Sequence, residues 1–107
     1  LIHQLIIGHF DAEALKDRRL VVLRPLDMSV VTRLLKEFGQ ITDDGRAILG
    51  GHAVEIVKDG YVVCPWLMAL RNQPAEEFAR RLHQETGCVL YDAGRREIIT
   101  PEQFATW

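Results

Sequence analysis

HAVEIVKDGYVVCPW, residues 52–66, decides how this chain is read. Two runs rich in Val, Ile and Tyr flank Asp59-Gly60. Asp-Gly suits a type I′ turn, which needs positive φ at both central residues. The spacing predicts a hairpin of 52–58 with 61–66, closed by a two-residue turn. Such a turn sets the register. Lys58 then faces Tyr61, Val57 faces Val62, Ile56 faces Val63, Glu55 faces Cys64 and Ala53 faces Trp66. Pro65 has no N–H to donate, so the second strand ends or becomes irregular there.

Working outward, RLVVLR (19–24) reads as a buried strand ended by Pro25. Asp27 caps a helix over 28–38, where Val31, Leu34, Leu35 and Phe38 fall on one stripe. Gly39 stops it. TDDGR is a turn, and LGG (49–51) a flexible approach to the hairpin. Downstream, NQPAEEFARRLHQETG is an amphipathic helix that buries Ala75, Phe78, Ala79 and Leu82, with His83 on its solvated side. CVLYD (88–92) is a strand. Ala93-Gly94 turns into RREII, and TPEQ has the form of a capping box for a short closing helix with Phe104 and Trp107. Residues 2–7 form a further short strand, and Asp11 caps a short helix.

The order strand, helix, strand, strand, helix, strand from 19 to 92 predicts an α+β ferredoxin-like βαββαβ core. An N-terminal strand and helix and a C-terminal helix add to it, in one domain of residues 1–107. The alternative is an irregular α+β fold with residues 2–7 in the main sheet.

Neither face of the hairpin is cleanly polar. Two helices cover one face, and bare apolar area forfeits ~25 cal/mol per Å². The second face therefore needs a cover. Leu15, Phe104 and Trp107 could supply it from within; a second copy, making a homodimer, is the favoured alternative.

The chain has 107 residues, 48% hydrophobic, with 13 basic and 15 acidic side chains and a formal charge of −2. That balance argues against a general polyanion binder. No apolar run approaches membrane-spanning length, and no signal-peptide pattern opens the chain, which starts without Met. Two cysteines do not make a disulfide scaffold, so a cytoplasmic location is expected.

Cys64 is the obvious reactive candidate. A nucleophilic cysteine sits near a helix N-terminus or a basic partner, whereas Cys64 lies within a strand opposite Glu55. It reads as a small buried hydrophobe. The strand 19–24 would separate the strands of Cys64 and Cys88, and strands once removed lie ~9.6 Å apart, too far for a disulfide. Two free thiols are expected. His3, His9, His52, His83, Cys64 and Cys88 show no ligand spacing, so no metal and no cofactor are expected. ILGGH lacks the Lys-Ser/Thr pair of a phosphate loop. An RNA-binding strand needs a basic residue before the glycine and a second stacking aromatic; here stand Asp59 and Val63, so nucleic acid is not expected.

The expectation is an interaction or regulatory module without catalysis, self-associating or docking a protein partner through an apolar sheet surface around His52, Glu55, Cys64 and Trp66. The alternative is a small enzyme or ligand-binding protein with a pocket near Trp66, His52 and Glu55.

Overall fold

The computed structural model describes residues 2–67 and 73–106, with side chains for 4–64 and 73–104. Its centre is β1 (Ile2–Phe10), followed by the short helix α1 (Ala12–Lys16), β2 (Val22–Arg24) and α2 (Met28–Phe38). Three strands, β3 (Gln40–Ile41), β4 (Ala47–Leu49) and β5 (His52–Val57), lead into β6 (Tyr61–Leu67). Helix α3 (Gln73–Thr86), β7 (Val89–Asp92), β8 (Glu97–Ile99) and a 3-10 helix, Pro101–Thr106, complete the chain.

The strands form one eight-stranded sheet in the order β3-β4-β5-β6-β1-β7-β8, with β2 paired to the end of β1. Every pairing is antiparallel. The expected ferredoxin-like βαββαβ core built on 19–24 does not describe this sheet. Residues 22–24 make only a marginal strand, pairing His9↔Arg24 and Phe10↔Val22. The central position belongs to β1, which pairs with β6 on one side and β7 on the other. The reason is length and hydrophobic content. Nine residues of β1 carry Leu5 and Ile7, both fully buried, whereas Leu20, Val21 and Leu23 lie on the surface. Helix α3 carries the chain from β6 to β7 across β1. That strand, not 19–24, separates Cys64 from Cys88, and both thiols are free.

The hairpin forms with a different register. Val57 pairs with Tyr61, Ile56 with Val62 and Glu55 with Val63. The loop therefore holds three residues, Lys58-Asp59-Gly60, with Gly60 at φ 90°. One residue of slip turns 61–67 over relative to 52–57. The loop also docks elsewhere: the Leu26 amide donates to the Gly60 carbonyl at 2.8 Å, and a Cβ on Gly60 would lie 2.3 Å from Pro25 Cβ. The two-residue hairpin is the one next door. Leu49 pairs with His52 around Gly50-Gly51, both at positive φ.

Local signals explain the helices. Asp11 Oδ1 accepts from the Glu13 amide at 3.0 Å and caps α1; Asp27 Oδ1 does the same for α2 through Ser29. These carboxylates satisfy N–H groups that a helix start leaves unpaired. Gln103 Oε1 accepts from the Thr100 amide at 2.7 Å, the backward half of the expected capping box.

The inner face of the sheet packs on α2 and α3. Leu5, Ile7, Val62, Cys64 and Leu90 meet Val31, Leu34, Leu35, Phe78 and Leu82, with Phe104 also in this core. Fully burying such side chains contributes ~1.5–3 kcal/mol each. Phe104 thus serves the inner core and does not cover the outer face.

Candidate functional site: the outer face of the sheet

The outer face is where the chain's own cover runs short. The registers align one row across five strands: Glu55, Val63, Ile6, Tyr91 and Ile98. Four of the five are apolar or aromatic. A second row sets Tyr61 beside Gly8. The Phe10 ring closes over Gly8 and meets Tyr61 edge-on, centroids 5.5 Å apart. A Cβ on Gly8 would lie 2.8 Å from that ring, so glycine is what lets the aromatic pair seat.

Helix α1 supplies the rest of the cover, and it is small. Leu15 packs with Phe10 and Tyr91 to bury a minor core. Beyond it the face opens into two adjoining depressions of about 270 and 240 Å³. Both share Leu15, Tyr91 and Arg96 as walls. Ile6 and Ala93 line one; Ile98, 41% exposed, lines the other. Together they make a groove between α1 and the β7–β8 turn.

Arginines rim the groove, and two of them are held in unusual backbone. Arg18 and Arg96 are the two non-glycine residues with left-handed φ among the described residues, at 60° and 59°. Arg18 ends α1. The Arg19 amide donates to the Ala14 carbonyl at 2.8 Å and the Arg18 amide to the Leu15 carbonyl at 3.0 Å. This is a Schellman closure with arginine where glycine is usual. Arg96 closes the β7–β8 turn. Asp92 Oδ1 accepts from the Gly94 and Arg95 amides at 2.9 and 3.2 Å, which shapes the first half of that turn. Arg96 then takes the left-handed step into β8. Such a conformation costs an L-residue about 1–2 kcal/mol.

Most neighbouring charges are paired. Arg19 lies 3.7 Å from Asp17, Lys16 3.3 Å from Glu13 and Arg95 4.0 Å from Glu97. Arg18 and Arg96 have no ion pair among the described residues. The groove walls hold four cations, Lys16, Arg18, Arg19 and Arg96, against Glu97. With Lys16 and Arg19 matched by Glu13 and Asp17, the cations of the groove left unpaired among the described residues are Arg18 and Arg96, on a chain whose formal charge is −2.

Of the four residues singled out in the sequence, Cys64 and Glu55 lie on opposite faces of the sheet. Cys64 is fully buried on the inner face, and burial pushes its thiol up to about 12. Glu55 is exposed on the outer face, beside Val63 and not Cys64. His52 is half-buried at the start of β5, opposite Leu49. Trp66 belongs to β6 opposite His3, but its side chain lies outside the described residues, as does Trp107. A shallow depression does lie near Glu55, lined also by Gln4, Arg46, Ala53 and Val63. Among the described residues no three His, Cys, Asp or Glu side chains converge as a metal site. His83 is not simply solvated: its Nδ1 donates to the Cys88 carbonyl at 2.7 Å. No helix among the described residues is long and apolar enough to cross a membrane.

Sequence reasoning missed the groove. Its floor comes from strands whose pairing the sequence did not disclose. Its rim arginines are visible in the sequence only as the pairs Arg18-Arg19 and Arg95-Arg96, local positive charge beside acidic neighbours, with nothing to show that Arg18 and Arg96 take left-handed backbone around one depression.

No family model, curated protein or solved structure matches this chain.

Proposed function

We propose that this protein is a cytoplasmic interaction module that docks a partner protein through the outer face of its sheet. One observation carries the reading: the row Val63, Ile6, Tyr91 and Ile98 is left only partly covered by α1. Leu20, 40% exposed, extends the apolar lining of the groove, and Val21 and Leu23 follow it in the chain as further exposed apolar residues. A contiguous apolar surface rimmed by charge is the usual form of an interaction site. The cytoplasmic assignment rests on two unpaired, buried thiols.

The partner need not be identified to test this. Binding peptides are selected from a random-sequence display library against the full chain. They are then measured against Ile98→Glu and Leu20→Glu, which charge the outer face, and Met28→Glu, which charges the exposed start of α2. The expected result is binding lost in the first two and kept in the third. Binders indifferent to Ile98→Glu and Leu20→Glu, or no binders at all, would contradict the reading.

Self-association is the second reading, and the exposed apolar residues Leu20, Val21 and Leu23 favour it. Light scattering across a dilution series separates the two. A mass that halves on dilution, and does so at higher concentration for Leu23→Glu, means a second copy.

A further inference from the structure

We infer that the groove between α1 and the β7–β8 turn holds an acidic segment of the partner, with one apolar side chain on Tyr91 and Leu15 and flanking carboxylates on Arg18 and Arg96. This rests on the outer face being the docking surface and adds what docks there. The floor is apolar: Ile6, Leu15, Tyr91 and Ala93. The rim is cationic, and its two unpaired guanidiniums belong to the two residues in left-handed backbone. Left-handed residues at these two turns are ordinarily glycine, which takes the conformation without strain. Arginine there keeps the strain and adds a planar, five-donor cation suited to carboxylates. Strained residues that persist in this way cluster at functional sites. Both strained residues also flank one depression and reach it from opposite sides, α1 and the β7–β8 turn. A nucleic acid strand would need stacking platforms beside its phosphates. Tyr91, 8% exposed, is the one aromatic ring among the residues lining the two depressions, so a strand would find at most a single platform. An acidic peptide needs only an apolar anchor and carboxylates, which this lining matches.

Peptides selected on the full chain are sequenced and remeasured. The expected consensus is an apolar residue among Asp and Glu. Affinity should fall about tenfold for Arg18→Gly and for Arg96→Gly, the loss expected when one partner of a docked charge pair is removed. It should also fall as salt is raised. Glycine removes the guanidinium while suiting the left-handed backbone, so the melting temperature should not drop, and weaker binding cannot be blamed on unfolding. Acidic peptides that ignore both substitutions overturn the inference, as does a neutral or basic consensus that still loses binding on Ile98→Glu; in that second case the docking surface survives and only its occupant changes. A fluorescent deoxythymidine oligonucleotide serves as the competing probe. Binding of it that disappears in the Arg18→Gly/Arg96→Gly variant would overturn the inference in favour of a nucleic acid.

Discussion

At position 64 the backbone direction answers the chemical question. Cys64 points into the helix-covered core, and the loss of water alone pushes its thiol up to about 12. The thiolate is the reactive form, so almost none is present at neutral pH. Iodoacetamide is expected to modify neither Cys64 nor Cys88 in the native protein, and both once urea has unfolded it. Rapid native labelling of Cys64 would contradict the placement. Glycines give a second prediction. Gly45 and Gly60 both have positive φ, 84° and 90°, but a Cβ at Gly45 meets open space while one at Gly60 strikes Pro25. Gly45→Ala should cost about 1–2 kcal/mol from backbone strain alone. Gly60→Ala should cost a further ~1–3 kcal/mol from overpacking, read by urea denaturation. The importance of Gly60 was legible in the sequence. Arg18 and Arg96 were legible only as local positive charge; their left-handed backbone was not, because the rule for helix ends and turns looks for glycine there.

At the scale of elements, helix α2 was the most readable. Its cap, its stripe and its stop all point the same way, and the observed bounds Met28–Phe38 equal the expected ones. The sheet was less readable because strand signals are short and local. Strands β3 and β4 span two and three residues, too few to show alternation, so Gly50-Gly51 looks like slack in the sequence when it is a hairpin turn. Composition also failed to separate buried from exposed strands. Leu23 sits in an apolar run yet is 65% exposed, whereas Leu34 is fully buried. Leu34→Ala should therefore cost ~2–5 kcal/mol, and Leu23→Ala should stay within ~0.5 kcal/mol. Equal costs would show that 22–24 is packed after all. The caps also set an acid dependence. Hydrogen bonds from the Ser29 side chain and amide hold the Asp27 carboxyl below its ordinary range. Its contribution is thus full above the unfolded carboxylate range and is lost as pH falls through the lower, folded value. Asp27→Asn should be less stable than wild type at neutral pH, with the gap closing in acid.

For the whole molecule, the sequence disclosed that the sheet has two apolar faces but not what covers each. Helices α2 and α3 cover one, as the stripe of α2 and the face of α3 implied. The other is divided between α1, anchored by Leu15, and solvent. A partner surface around His52, Glu55, Cys64 and Trp66 depended on a two-residue turn. The third loop residue sends Cys64 and Glu55 to opposite faces, because strand side chains alternate with a period of two. The outer face is instead centred on Ile6 and Tyr91, which only the pairing of β1 with β7 brings together.

The most direct measurement is an amide chemical-shift map of the isotope-labelled chain titrated with a selected binding peptide. The expected shifts cluster at residues 15–20 and 91–98 and along Ile6 and Val63, with α2 and the exposed side of α3 unchanged. Shifts confined to α2 and α3, with the outer face silent, would contradict the claim that this face is where the protein binds.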